Sequence, residues 1–179
     1  MNAEDTKYTR VEYERRFLVR EDANWRDRID PGTRVLDDKY LRDTRLRLRI
    51  VTDTESGHRI VKLTKKADST SPYFRTVSRI LLSPAEYTVL DAVDGDRLTK
   101  TRYHCTHLGR TYAIDRFDGE LDGLVLCEVE AADLDDLMKA EPPDFAYREV
   151  TEDAFFDGAN LCRIGREELL AKLASFRAS

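Results

Sequence analysis

The chain contains several short segments in which charged and aliphatic residues alternate with the two-residue period of strands in an antiparallel sheet. Residues 11–19 place Glu12, Glu14 and Arg16 on one face, with mainly apolar side chains on the other. Residues 45–50 alternate arginines with aliphatic residues in the same way. Further strands are predicted at residues 34–42, 59–66, 74–82, 98–106, 110–117 and 124–131. The pattern therefore predicts a sheet of seven or eight strands with one charged face and one apolar face.

Helix signals lie mainly outside this series of strands. Ser83, Pro84 and Glu86 provide an N-cap, a first helical residue and a capping box, which together predict a helix over residues 84–93. Other helices are predicted over residues 21–29, 134–140, 151–161 and 166–176. The sequence shows no internal repeat, linker or low-complexity tract, so we expect residues 1–179 to form one domain.

The charged face of the strands could point in either of two directions. Outward, it would be the solvated shell of a β-sandwich; inward, it would line the lumen of a closed barrel. Helices such as those over residues 84–93 and 166–176 need an apolar surface to pack on. The aliphatic faces of residues 45–50 and 124–131 supply that surface if they point outward. We therefore predict an α+β fold: a closed eight-stranded antiparallel β-barrel, or tunnel, with helices packed on the outside.

The residues of the charged face indicate the chemistry of such a lumen. Lys and Arg side chains that converge away from water repel one another unless an anion binds between them, and a phosphate chain supplies several negative charges. Carboxylates on the same face would repel that anion unless a hard divalent cation lies between, because Mg²⁺ takes carboxylate and phosphate oxygens together. This combination predicts metal-assisted phosphoryl chemistry.

Composition narrows the class of protein further. The 30 Lys and Arg against 35 Asp and Glu give a net charge of −5, which disfavours nucleic acid as a partner. No apolar run approaches the ~20 residues of a membrane-spanning helix, and the acidic first residues precede no signal-peptide core. We therefore expect a cytoplasmic protein without a membrane partner. The three scattered cysteines and three scattered histidines indicate neither a disulfide framework nor a soft-metal site.

A set of motifs extends this interpretation. In chain order these are Glu12-x-Glu14-x-Arg16, Arg45-Leu46-Arg47-Leu48-Arg49, Lys62-Leu63-Thr64-Lys65-Lys66, Lys100-Thr101-Arg102-Tyr103, Asp115-x-Phe117-x-Gly119, Glu128-Val129-Glu130 and Glu149-Val150-Thr151. Taken together, they resemble the motifs of the CYTH superfamily, the triphosphate tunnel metalloenzymes, over roughly residues 10 to 162. The resemblance implies an eight-stranded tunnel that binds a triphosphate together with Mg²⁺ or Mn²⁺.

The resemblance also implies roles for individual residues. It implies catalytic roles for Glu12, Glu14, Arg16 and Lys100. It implies contacts with the substrate phosphates for Arg45, Arg47, Arg49, Lys62, Lys66, Arg75 and Arg102. It implies metal coordination by Glu12, Glu14, Glu128, Glu130 and Asp115.

Two places depart from the family pattern. Arg16 stands where the opening motif usually has Lys, which keeps the charge but loses a titratable amine. Val77 and Arg79 stand where acids are common, which leaves the number of metals, one or two, open.

We expect a metal-dependent triphosphatase, a hydrolase of phosphoric anhydrides. Its substrate would be inorganic tripolyphosphate, a polyphosphate or a small organic triphosphate. A class IV-type adenylate cyclase and a non-catalytic protein that binds polyphosphate or nucleotide are the alternatives, and a homodimer stays open.

Overall fold

A computed structural model describes residues 8–20 and 23–177 of the chain. Within those residues nine strands form one antiparallel sheet. They are β1 (Thr9–Val19), β2 (Arg34–Leu41), β3 (Leu46–Asp53), β4 (Arg59–Lys66), β5 (Phe74–Leu82), β6 (Gly95–His107), β7 (Arg110–Phe117), β8 (Val125–Ala131) and β9 (Ala146–Glu149). The order across the sheet is β5-β4-β3-β2-β6-β7-β8-β1-β9, and β1 also pairs with β5. This extra pairing closes the first eight strands into a barrel, which confirms the predicted fold.

The long first strand closes the barrel because different parts of it have different neighbours. Residues 9–13 of β1 pair with β5, and residues 13–18 pair with β8. Near its end, residues 17–19 also pair with the short strand β9. The sequence pattern missed β9, since a strand of four residues is too short to show a clear alternation.

Side chains of the outer barrel face form one of two buried clusters. Phe17 of β1 and Cys127 and Val129 of β8 pack there with Trp25 and Leu137. Trp25 belongs to a short 3-10 helix, Asn24–Arg28, and Leu137 to helix α2 (Leu134–Met138). The expectation that the aliphatic face of β8 supplies a surface for a helix is therefore correct, and the helix that uses it is α2.

The second cluster closes one end of the barrel, which we call the base. Leu18, Leu98 and Leu126 continue the inner face of the barrel below its charged residues. They pack against Phe156 and Leu169 from the C-terminal part of the chain. Leu169 lies in helix α4 (Arg166–Arg177), so α4 buries its apolar side at the base and not on the outer face of β8 as expected.

Two of the predicted helices differ in the structure. Helix α1 (Pro84–Asp91) begins with the predicted capping box. Residues 151–161 do not form one helix: a 3-10 turn (Ala154–Phe156) and the short helix α3 (Gly158–Leu161) are separated by Asp157, whose ψ of 134° is extended. In the predicted helix over residues 21–29, residues 21 and 22 lie outside the described residues, and the 3-10 helix occupies the remainder.

Among the residues that the structure describes, no helix combines the length and the apolar character needed to cross a membrane.

Gly95, at the start of β6, lies where the backbone of β2 comes very close. A Cβ atom at Gly95 would lie 2.4 Å from the carbonyl oxygen of Tyr40, and that oxygen cannot move without disturbing the sheet. We expect Gly95→Ala to lower the free energy of unfolding by about 1–3 kcal/mol, measured by urea denaturation. Gly165→Ala is the control, because its Cβ would meet nothing within 4 Å. Its expected change is below about 1 kcal/mol, the loss of a glycine directly before helix α4, and equal losses in the two variants would contradict the close approach.

Candidate active site

The charged faces of the strands point into the barrel and line a tunnel, as the packing requirement of the helices predicted. Its acidic wall consists of four glutamates on the neighbouring strands β1 and β8: Glu12, Glu14, Glu128 and Glu130. The antiparallel register brings them together, because Glu14 lies opposite Glu130 and Arg16 lies opposite Glu128. The strand order places β3, with Arg47 and Arg49, across the barrel from β8. The tunnel therefore has an acidic wall facing a basic wall. The basic wall consists of the inward side chains of β3 and β4: Arg47, Arg49, Lys62, Thr64 and Lys66.

Asp115 of β7 organises the cations next to the acidic wall. Its carboxylate is fully buried, and it accepts hydrogen bonds from Lys100 and from Arg102 Nε and Nη2, the latter two at 2.6 Å. Arg102 Nη2 also donates to Glu128 at 2.8 Å. Burial alone would raise the pKa of Asp115, but the charges of Arg102 and Lys100 hold it below its ordinary value. Asp115, expected as a metal ligand, here positions two cations; its role as a ligand stays a prediction.

Asp38 of β2 positions cations of the basic wall in the same way, although no sequence motif predicted this role. Its buried carboxylate accepts bonds from Arg49, with Oδ2 2.6 Å from Nη2, and lies 3.8 Å from Arg47 Nη1. Burial opposes ionisation of Asp38, yet the two arginines lower its pKa. Only the pairing of β2 with β3, which sets Asp38 opposite Arg49, reveals this role.

Two of the departures from the family pattern, Arg16 and Arg79, bind glutamates of the acidic wall. Arg79 Nη2 donates to Glu12 Oε1 at 2.9 Å, and Arg10 Nη2 donates to the same oxygen at 2.6 Å. Arg16 Nη2 donates to Glu14 Oε1 at 2.7 Å. Three arginines thus neutralise two of the glutamates that were expected to bind metal.

The glutamates of the acidic wall differ in protonation behaviour. Burial would raise the pKa of Glu14, but the charges of Arg16, Lys66 and Arg102 outweigh it and lower the pKa to about 2. Glu130 lies at the rim of the tunnel, where partial burial and the negative charges of Glu12 and Glu14 raise its pKa. Negative charge is therefore least compensated at Glu130, whose nearest arginine nitrogen, on Arg10, is 3.8 Å away.

The basic wall holds donors that no group of the described residues satisfies. Arg47 Nε and the hydroxyl of Thr64 are buried, and neither finds a hydrogen-bond partner among the described residues. Within the same part of the chain, Lys62 and Lys66 form no salt bridge, and burial lowers the pKa of both amines. Buried donors are almost always paired in native proteins, so unpaired ones facing a tunnel indicate where a ligand binds. Thr64 was also missed as a site residue, although it shares a strand face with the two lysines.

Two of the expected phosphate-binding residues lie at the edge of the site. Arg45 pairs with Asp68 and is 53% exposed. Arg75 lies 3.8 Å from Asp157. Both stand near the base end of the tunnel, outside the central group that contains Arg47, Lys66 and Arg102. The structure thus brings the predicted residues to one tunnel, and their individual roles stay predictions.

The acidic wall fits a hard divalent cation in the chemistry of its donors. Four glutamates offer carboxylate oxygens, the ligands that Mg²⁺ and Mn²⁺ prefer. In the present arrangement, however, Glu12, Glu14 and Glu128 bind arginines. Over residues 8–20 and 23–177, no three His, Cys, Asp or Glu side chains form a group that could hold a metal. A metal ion would therefore have to compete with these arginines for the carboxylates.

Asp115→Asn tests the buried ion pairs, because the change leaves Lys100 and Arg102 buried with too little negative charge. We expect the free energy of unfolding at neutral pH to fall by about 3–5 kcal/mol. The depressed pKa of Asp115 means that its stabilisation is complete above its ordinary pKa of 3.8 and is lost as the pH falls through the lower, folded-state pKa. The difference between wild type and variant should therefore shrink below pH 3.8.

Asp118→Asn is the control for that experiment, because Asp118 and its partner Arg116 are both about one-third exposed. Its expected effect is within about 1 kcal/mol. A loss in Asp115→Asn no larger than in Asp118→Asn would contradict the role assigned to the buried pairs.

Sequence comparison gives a partial match. No protein-family model matches this chain. A curated inorganic triphosphatase of Acetivibrio thermocellus is 38% identical over 66 residues. That alignment covers 37% of this chain and 41% of the relative, so it spans less than half of either protein.

Structural comparison covers most of the chain. Two crystal structures of the protein NE1496, one described as hypothetical and the other as an inorganic triphosphatase, are each 26% identical. Their TM-scores are 0.57 and 0.55, and the alignments cover 86% and 84% of this chain and 99% and 93% of theirs. A putative adenylate cyclase of Bacillus halodurans, 13% identical with a TM-score of 0.51 over 84% of this chain and 100% of its own, shares the fold. These similarities confirm the resemblance to the CYTH superfamily.

Proposed function

We propose that this chain, which shares its tunnel fold with the inorganic triphosphatase NE1496, hydrolyses a phosphoric anhydride bond of a linear triphosphate. Inorganic tripolyphosphate is the substrate that we favour, with Mg²⁺ or Mn²⁺ as the cofactor. A cytoplasmic location and a homodimer stay predictions.

The observation that carries this proposal is the unsatisfied basic wall. Arg47 Nε, Thr64 Oγ1 and the amines of Lys62 and Lys66 face a tunnel that Arg49 and Arg102 also line. A phosphate chain offers several acceptor oxygens along its length, so it could satisfy these donors together. Arginine and lysine would contribute differently: the guanidinium binds two oxygens at once, while each amine acts as a point charge.

The glutamates would serve the second component of the reaction. A bound divalent cation supplies positive charge at the reacting phosphoryl group and makes water a better nucleophile. Glu12, Glu14, Glu128 and Glu130 would hold it, and Glu14, with a pKa of about 2, stays ionised at all physiological pH values. When phosphate takes Arg16 and Arg102 as partners, the carboxylates that these arginines now bind, Glu14 and Glu128, become available. The phosphate and the cation would thus replace the protein's own ion pairs.

One observation favours a second candidate function. Arg79 and Arg10 both bind Glu12, and this double pairing lowers its capacity to hold a metal. A tunnel that keeps these contacts could bind polyphosphate without cleaving it. Turnover separates the two candidates.

The decisive experiment measures phosphate released from tripolyphosphate with Mg²⁺, with Mn²⁺ and with EDTA. We expect metal-dependent release that falls at least about 100-fold in the Glu12→Gln, Glu14→Gln double variant, a loss comparable to removing one preorganised charged group from an active site. Glu149→Gln is the matched control: Glu149 lies in β9, outside the tunnel, where it pairs with Arg15, and its variant should retain activity.

Other results would point elsewhere. Tight binding of tripolyphosphate without release under any metal condition would support the binding protein and refute the hydrolase. Cyclic AMP formed from ATP, in place of released phosphate, would support the cyclase.

Neighbouring lysines on opposite faces of β4 test the basic wall. Lys66 faces the tunnel, whereas Lys65 is exposed on the outside. Replacing Lys66 by Met removes one charged contact, so we expect the Kd for tripolyphosphate to rise about 10- to 100-fold in calorimetry. Lys65→Met should leave it within about twofold, since a screened surface charge contributes little. Equal effects of the two variants would contradict the proposal that the inward face of β4 binds tripolyphosphate.

A further inference from the structure

A cavity of about 290 Å³ opens beside the base of the tunnel, and we call it the side chamber. Its walls come from the β2–β3 turn, the loop after β4 and helix α3; Arg45, Ser69, Arg75, Asn160 and Arg163 contribute side chains. It joins the tunnel, because Arg16, Arg47 and Lys66 line both spaces. The central tunnel cavity measures only about 70 Å³, so a ligand that extends beyond it has room here.

The side chamber is strongly basic. Six cationic side chains line it, three of them shared with the tunnel, against the two carboxylates of Asp68 and Asp157. This excess of positive charge continues the basic wall toward solvent. An anionic ligand that extends from the basic wall into the side chamber would therefore stay among cationic side chains.

The three cations of the side chamber that do not line the central tunnel cavity are held weakly. Arg45 pairs with Asp68, Arg75 lies 3.8 Å from Asp157, and Arg163 Nε lies 3.1 Å from Asp96 Oδ2. Arg163 is 52% exposed, similar to Arg45. Exposed ion pairs contribute about 0–1 kcal/mol, so a multiply charged ligand can displace them at little cost.

The lining is poorly suited to an organic leaving group. Tyr40 provides the one aromatic ring among the described lining residues. Its hydroxyl faces Gly158, where an added Cβ would lie 2.0 Å from Tyr40 Oη. The other non-charged contacts are small or polar, such as Ala159 and Asn160. Heterocyclic groups are usually recognised by stacking on aromatic faces, and the side chamber offers only the ring of Tyr40.

We propose that the side chamber binds the phosphate units of a linear inorganic polyphosphate that extend beyond those held in the tunnel. Chains of four or more phosphates would then bind more tightly than tripolyphosphate, because only the longer chains reach the side chamber. This inference rests on the proposed function for its catalytic consequence, but the binding claim stands on the chamber itself. Hydrolysis of such a chain needs no co-reactant besides water: the water oxygen bonds to one phosphorus, and the bridging oxygen leaves with the remaining chain and takes up a proton.

Binding of tripolyphosphate and tetrapolyphosphate, measured by calorimetry in EDTA, tests the proposal without turnover. We expect wild type to bind tetrapolyphosphate about tenfold more tightly, because the extra phosphate gains a charge-assisted contact. Arg163→Glu should abolish this gain while changing the Kd of tripolyphosphate by less than about twofold. Arg97→Glu is the matched control: Arg97 is 40% exposed on the outer barrel face, paired with Asp37 and Asp91, and its variant should keep the gain.

Three results would overturn the proposal. These are equal affinities of wild type for the two chain lengths, an equal loss for both chains in Arg163→Glu, and tighter binding of ATP or thiamine triphosphate than of tetrapolyphosphate. The proposed function fails separately: a protein that shows the chain-length gain but releases no phosphate with any metal is not a hydrolase, although its side chamber binds as proposed. A protein that cleaves tripolyphosphate without any chain-length gain contradicts this inference alone.

Discussion

Charge compensation inside the barrel is the constraint on which the rest of the structure depends. A lumen with this many ionised side chains is stable only if most of its buried charges have partners, because desolvation of an isolated ion costs far more than one ion pair returns. Asp115 and Asp38 meet that requirement for Lys100, Arg102 and Arg49. These two aspartates keep the cations charged, extended and pointed into the tunnel. The fold can therefore present a basic wall without collapsing around it or opening to solvent.

The charge compensation is incomplete on the basic wall of the tunnel. The aspartates satisfy one side of the basic cluster, but Arg47 Nε, Thr64 and the two inward lysines of β4 keep unsatisfied donors or charges. On the acidic wall, Arg79 and Arg16 occupy Glu12 and Glu14. A phosphate chain would thus meet ready donors on one side and arginines already bound to glutamates on the other. Under the proposed function, the arrival of phosphate and of a divalent cation would be coupled, since each relieves the charge that the other leaves behind.

Apolar side chains close part of the base of the barrel. Leu18, Leu98 and Leu126 seal part of that end against Phe156, and Arg16 is tied to the same segment by a bond to the Phe156 carbonyl oxygen at 3.0 Å. The side chamber opens beside this seal, and helix α3 of the C-terminal segment forms part of its wall. Residues 151–161 do not form one continuous helix, and this contributes to the seal. The extended conformation at Asp157 lets Phe156 and Gly158 line the tunnel at the base.

The sequence by itself determined which residues share a face, because the two-residue period of a strand is a local property that any register preserves. That is why the charged set, from Glu12 to Glu130, could be predicted before the structure. Its inward direction, and with it the closed barrel, followed from the helices, which need an apolar outer surface to pack on. Only the tertiary structure determined which side chains contact each other. Asp38 meets Arg49, Arg79 meets Glu12 and Arg163 reaches the side chamber only through strand register, ring closure and the packing of a distant segment. These are contacts between residues far apart in the chain, and no local pattern encodes them. Whether a glutamate holds an arginine or is available to a metal is therefore a property of the folded barrel and not of its motif.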